Sequence, residues 1–173
     1  MEIQILDWIQ NIRNPVCDVL MPFITAFGNA GVIWILLAMV LLVRPKTRRL
    51  GVTLAAALLL DVVVCNMIIK NVVARTRPFD VNTTIQLLIN KPRDYSFPSG
   101  HTAASFSACA ALYYAGDNRL WKWVLVLAML IAFSRLYLYV HYPTDILGGV
   151  LLGELCGYLA NLLVRRIWTE KKE

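Results

Sequence analysis

Residues 50–73 read LGVTLAAALLLDVVVCNMIIKNVV, an apolar run whose only charged members are Asp61 in its interior and Lys70 near its end. A run of this length matches the roughly 30 Å hydrocarbon core of a bilayer. Four more apolar blocks flank it: 23–43, weakened at Gly28-Asn29-Ala30-Gly31, then 100–115, 121–140 and 144–167. The 173-residue chain is 58% hydrophobic with a mean hydropathy of +0.60, above the roughly 45–50% apolar content of a soluble domain. The pattern predicts an all-α fold: one integral-membrane helical bundle of five transmembrane helices over 23–167, with an active-site loop at 74–98 and a cytoplasmic tail at 168–173.

Residues 1–22 are amphipathic instead. Ile3, Leu6, Ile9 and Ile12 recur at helical spacing, Asp7, Gln10, Asn11 and Arg13 fall elsewhere on the wheel, and Trp8 suits an interface. This predicts a surface helix, broken or redirected at Pro15. Glu2 and Asp7 stand where a signal peptide carries basic residues, so no cleavable leader is expected. Cys17, Cys65, Cys109 and Cys156 lie in or beside apolar stretches without C-x-x-C spacing, and read as small hydrophobes, not metal ligands or disulfides.

The net charge of +6 invites a nucleic-acid reading, but no basic helix stands free of an apolar block, so no nucleic acid is expected. The cations mark topology. Arg44, Lys46, Arg48 and Arg49 follow the first span, Arg119 and Lys122 the third, and Arg165, Arg166, Lys171 and Lys172 the fifth. By the positive-inside rule these places, all on one side, are cytoplasmic. A multi-pass cell-membrane protein with a cytoplasmic C-terminus follows. The opposite, extracytoplasmic side still carries Lys70, Arg75, Arg77, Lys91, Arg93 and Arg135, which oppose the topological bias and suggest anion binding.

Three clusters converge on that outer side: Lys70 with Arg77-Pro78, then Pro98-Ser99-Gly100-His101, then Ser134-Arg135 with His141 and Asp145. Guanidinium forks fit phosphate oxygens. A helix beginning after Ser99-Gly100 offers unpaired amides to an anion. Two histidines can divide nucleophilic attack from proton donation. Asp145, four residues after His141, can hold one imidazole nitrogen and leave the other free. These residue types do not by themselves decide which histidine attacks, although the neighbouring aspartate favours His141. No carboxylate cluster suited to Mg²⁺ stands on this side, so no metal or cofactor is expected and the cations must stabilise the transition state.

The pattern Lys-x6-Arg-Pro, Pro-Ser-Gly-His, Ser-Arg-x5-His-x3-Asp resembles that of the type 2 phosphatidic acid phosphatase family, whose core is shared with vanadium haloperoxidases. All its defining positions are present between Lys70 and Asp145. The resemblance implies metal-independent hydrolysis of a membrane lipid phosphate through a phosphohistidine on His141. His101 would be the general acid, Asp145 the partner of His141, and Lys70, Arg77, Ser99, Gly100, His101 and Arg135 the phosphate binders. An extracytoplasmic site suits recycling of a polyprenyl carrier, so undecaprenyl diphosphate is the first expected substrate. Phosphatidylglycerophosphate or phosphatidic acid comes next, then lipid A phosphate. A vanadate-dependent peroxidase would share the anion site, but the lipid-length spans argue against it. A non-catalytic lipid carrier would not need the two histidines, and no obligatory protein partner is evident.

Asp61 and Glu154 lie about 13 Å below the catalytic layer by helical rise, each on the opposite helix face from its catalytic neighbour. They are expected to share a proton or to bond Asn66, ahead of a role in a substrate cavity. Gly149, Gly153 and Gly157, with the small residues of 103–111, predict close helix packing. Tyr113, Tyr114, Tyr137, Tyr139 and Tyr142 are expected as interfacial aromatics, with Tyr137 and Tyr142 beside the site.

Overall fold

The computed structural model describes residues 1–170; Lys171, Lys172 and the end of the expected tail lie outside the described residues. Helices account for the regular structure within them: α1 Glu2–Asn11, α2 Pro15–Phe27, α3 Val32–Val43, α4 Arg48–Asp61, α5 Lys70–Val73, α6 Pro78–Val81, α7 Gly100–Tyr114, α8 Leu120–Tyr137 and α9 Pro143–Glu170. The stretches Pro45–Val81, Leu120–Tyr137 and Pro143–Trp168 are long and apolar enough to cross a membrane. Pro15–Phe27 and Asn29–Val43, bent by 42°, add a fourth if they form one broken span. The chain is an integral-membrane helical bundle.

The expected surface helix over 1–22 is divided at Pro15. Asn14 caps α2, its side chain accepting from the Cys17 amide at 3.0 Å, and Pro15 takes the first helical position, where its missing N–H costs nothing. Helix α1 is also bound to the protein more tightly than a surface helix need be. Leu6 and Ile9 are buried against Tyr137, Leu138, Tyr139, Val140 and Tyr142. Gln10 donates to the Tyr137 carbonyl at 2.9 Å, and Tyr139 donates to Asp7 at 2.6 Å. The polar face of α1 thus holds the turn between α8 and α9. Tyr137, Tyr139 and Tyr142 are interior residues rather than interface anchors. Tyr137 donates to Asp18 at 2.7 Å, and Arg75 stacks 3.9 Å from the Tyr142 ring.

Helix α7 is the core of the bundle. Its 15 residues extend about 22 Å, less than the hydrocarbon thickness, because it starts inside the molecule at the site instead of at its surface. Helix α9 packs directly along it. A Cβ on Gly149 would lie 2.8 Å from the Ser99 carbonyl oxygen, one on Gly153 2.5 Å from that of Ala103, and one on Gly157 2.4 Å from Ala110 Cβ. In lipid, where apolar burial between helices supplies little drive, such close approach gains dispersion energy. Trp34, Leu54 and Ile131 join Leu112 of α7 in the main apolar core, and the Trp34 indole donates to Ser105 at 3.1 Å.

Between α4 and α5, residues Val62–Ile69 are π-helical. Bonding from i to i+5 turns the chain less per residue than an α-helix does. Asp61 and Lys70, expected on opposite faces, therefore line one cavity. Asp61 and Glu154 do not pair. Tyr114 donates to Glu154 at 2.6 Å, whereas Asp61 is buried with Oδ1 lacking a hydrogen-bond partner among the described residues.

Candidate active site

A cavity of about 740 Å³ opens where α2, α5, α7, the end of α8 and the turn before α9 meet. Lys70, Arg77, Gly100, His101, Arg135 and His141 all line it. The dozens of residues between the three sequence clusters are thus closed up by topology. Ser99 is placed differently: it caps α7, its side chain is buried, and its Oγ accepts from the Thr102 hydroxyl at 3.0 Å. It contributes the helix start, with its amide donating to the Asp145 carbonyl at 3.0 Å.

The tautomer of His141 follows from its neighbours. Arg77 Nη1 lies 3.2 Å from His141 Nε2, and arginine has only donors, so Nε2 accepts. The ring proton is then on Nδ1, which donates to Asp145 Oδ2 at 3.4 Å. Asp145 is itself braced: Ser96 donates to Oδ2 at 2.5 Å, the Tyr142 amide at 2.9 Å, and Arg75 donates to Oδ1 at 2.6 Å. Arg75 is held in turn by Glu2 of α1 at 2.5 Å. Burial of the imidazole, then the charges of Arg77, Arg135 and Lys70, push His141 well below the ordinary histidine range against the opposing pull of Asp94. The ring is therefore neutral, with an in-plane lone pair facing the cations.

His101 sits on the first turn of α7 and reaches the break between α2 and α3. Its Nε2 is 2.9 Å from Asn29 Oδ1, so Nε2 carries the proton and donates it there. Its ring packs on Gly28, where a Cβ would lie 2.7 Å from the imidazole. Ala30 and Gly31 take left-handed backbone angles, φ 49° and 65°, which turns the chain so that Asn29 faces inward. The span was expected to be weakened at this place, but that signal did not reveal a partner for His101.

The cations are buried, and each is held. Arg135 donates through Nη1 to Thr25 at 2.7 Å, leaving Nε without a partner among the described residues. Arg77 donates through Nε to the Asp94 carbonyl at 2.7 Å, through Nη1 to the Val140 carbonyl at 2.7 Å, and through Nη2 to Asp94 Oδ1 at 2.7 Å and the Tyr95 carbonyl at 3.2 Å. Lys70 pairs with Asp94 Oδ2, and its Nζ stands 3.6 Å from where a Gly100 Cβ would be. Burial would raise the Asp94 carboxyl, but the bonds and charges of Lys70 and Arg77 prevail and hold it down to about 2. Of the other cations expected on the outer side, Arg75 braces Asp145 and Lys91 pairs with Asp80 at 2.5 Å. Asp94 was not foreseen, because a single acid in a polar loop has no helical spacing to flag it. A second cavity of about 370 Å³, shared at Lys70, Asp94, Gly100 and His101, runs down to Asn66 and Asp61 between apolar walls that include Ile35, Leu58 and Val62.

Membrane-length helices closed around a cationic cavity with two histidines define a membrane lipid phosphatase, and comparison with known proteins places the chain within that class. A family model described as the PAP2 superfamily matches residues 49–169. The undecaprenyl-diphosphatase of Sulfolobus acidocaldarius is 34% identical over 82% of this chain and 68% of its own length. The undecaprenyl-diphosphatase BcrC of Bacillus subtilis is 35% identical over 85% of this chain and 75% of its own. Among solved structures, the transmembrane PAP2 type phosphatidylglycerolphosphate phosphatase from Bacillus subtilis superposes with a TM-score of 0.78 at 25% identity, covering 96% of this chain and 85% of that one. The chain belongs to the PAP2 superfamily.

Proposed function

We propose that the protein removes the terminal phosphate of a lipid diphosphate at the extracytoplasmic membrane face, with undecaprenyl diphosphate as substrate. The observation that carries the chemistry is the acceptor state of His141 Nε2, which Arg77 contacts at 3.2 Å in a cavity lined by Lys70 and Arg135. The Nε2 lone pair attacks phosphorus, forming a P–N bond as the P–O bond to the lipid breaks. His101, carrying a proton on each ring nitrogen in the substrate complex, gives the Nε2 proton to the departing oxygen and is left as a neutral ring. Water then attacks the phosphohistidine, returns a proton to His101, and releases phosphate with His141 restored. Asp145 steadies the imidazolium character that develops on His141. Lys70, Arg77 and Arg135, with the amides at the start of α7 after Ser99-Gly100, stabilise the equatorial oxygens.

The choice of polyprenyl diphosphate is supported by the names of the two relatives at 34% and 35% identity. The structural likeness to a phosphatidylglycerolphosphate phosphatase supports a second substrate, phosphatidylglycerophosphate. The distribution of Arg and Lys supports a cytoplasmic C-terminus and an outward site, on a count of five spans that includes α7 and the bent pair.

Phosphate release by the purified protein from undecaprenyl diphosphate, phosphatidylglycerophosphate and phosphatidic acid, assayed side by side, tests the proposal. Release should persist in EDTA, fall with vanadate, and be lost in His141→Ala and His101→Ala. A strict metal requirement, or full activity without His141, would overturn the mechanism. A clear preference for phosphatidylglycerophosphate would replace the substrate.

A further inference from the structure

Asp94 is the one carboxylate among the described residues lining the catalytic cavity, and it holds two of the cations assigned to phosphate. Its Oδ1 accepts from Arg77 at 2.7 Å and its Oδ2 pairs with Lys70. One carboxylate therefore spans Lys70 and Arg77 as two oxygens of a phosphate would. The competition is direct, because every N–H of Arg77 is engaged: two with Asp94, and the others with Val140, Tyr95 and His141. No phosphate can gain both cations until the Asp94 side chain leaves.

Leaving is feasible. The side chain is 53% exposed and lies in the stretch between α6 and α7, so release is a swing toward water. The backbone carbonyl can stay on Arg77 Nε while the carboxylate departs. Protonation does not open the site, since the carboxyl is held down to about 2. Only an anion that binds the cations better can displace it.

We propose that Asp94 is a charge-selective gate, a tethered monoanion that admits doubly charged terminal phosphates and excludes the singly charged phosphodiester headgroups of the surrounding lipid. The inference rests on the phosphatase reading, in which Lys70 and Arg77 receive the substrate phosphate. A terminal phosphate has a second pKa near 6 and approaches two charges at pH 7; a phosphodiester carries one. Exchanging Asp94 for a diester swaps one charge for one, against a carboxylate whose tether gives it an effective concentration on the order of millimolar or higher. Exchanging it for a dianion adds a full charge among three buried cations, where screening is weak. The selection acts before chemistry and keeps abundant bilayer phosphates off the nucleophile.

The test uses full-length protein in detergent micelles, with short-chain phosphatidic acid as the monoester substrate and short-chain phosphatidylglycerol as the diester competitor. Asp94→Asn removes the charge at nearly constant shape, Asp94→Ser is a second neutral variant, and Asp94→Glu retains the charge. Diester inhibition should strengthen about tenfold or more in the neutral variants, with a lower KM for the monoester, while Asp94→Glu stays near the wild type. Unchanged diester exclusion, or a KM that rises several-fold in the neutral variants, would overturn the gate and make Asp94 an organiser of Lys70 and Arg77. Loss of the folded state in both neutral variants, read from thermal midpoints, would overturn it equally. Wild-type protein that releases no phosphate from any lipid phosphate refutes the phosphatase reading itself. An active wild type with unaltered selectivity in Asp94→Asn refutes only the gate.

Discussion

At the scale of single residues, two effects set the state of His141: Arg77 requires its Nε2 to accept, and burial, together with the charges of Arg77, Arg135 and Lys70, disfavours its charged form. The second has a measurable consequence for stability. An unfolded histidine binds a proton below about pH 6.5, whereas the folded His141 resists it. The contribution is complete above that pH and is lost as pH falls below it, because the unfolded state then binds more protons. The thermal midpoint in detergent should therefore drop between about pH 6.5 and 5, and His141→Gln should flatten that slope; an unchanged slope would argue against the neutral buried ring. For the other histidine, the proposed general acid, Asn29 Oδ1 accepts from Nε2 and orients the ring. Asn29→Ala should reduce kcat toward the loss of a general acid, on the order of 10²-fold, with KM little altered. A change confined to KM would assign Asn29 to binding.

At the scale of elements, the packing of α9 on α7 fixes where Asp145 and His141 stand relative to His101. Gly157→Val would force side-chain atoms into the Ala110 backbone, since even a Cβ would lie 2.4 Å from Ala110 Cβ. It should cost about 1–3 kcal/mol as overpacking does, read as a lower thermal midpoint with activity falling in step. This interface was legible from the small residues spaced along both segments, as were the apolar helices and the three motif clusters, because helical periodicity and fixed spacing are local signals; the count of five membrane-length spans was not matched, since α7 is too short. What escaped were contacts made by lone residues from distant elements. Asn29 reaches His101 only because the chain bends at left-handed Ala30 and Gly31, and Asp94 reaches Lys70 from an irregular loop. Asp61 faces the same cavity as Lys70 only because Val62–Ile69 is wound as a π-helix, a register that α-helical counting cannot anticipate. The tyrosines of 137–142 were misplaced for a related reason: their partner, α1, is more than a hundred residues away in sequence.

At the scale of the whole molecule, the N-terminus and the catalytic end are one assembly. Glu2 of α1 bonds Arg75 and Thr144, and Arg75 bonds Asp145, so a helix read as a surface element is tied to the partner of His141. The proposed orientation can be probed in the same membrane. Single cysteines at Lys91 and Lys46, in a background lacking the native cysteines, should react with a membrane-impermeant thiol reagent from outside and only after permeabilisation, respectively. The reverse labelling would invert the topology and with it the side on which the lipid is processed.

The proposed nucleophile is tested most directly by rapid quenching of the enzyme with lipid substrate carrying a labelled terminal phosphate. The expected result is an acid-labile, alkali-stable phosphoryl label on His141 that forms and decays within the turnover time and is missing in His141→Ala. Label on another residue, or undiminished turnover in His141→Ala, would contradict the account.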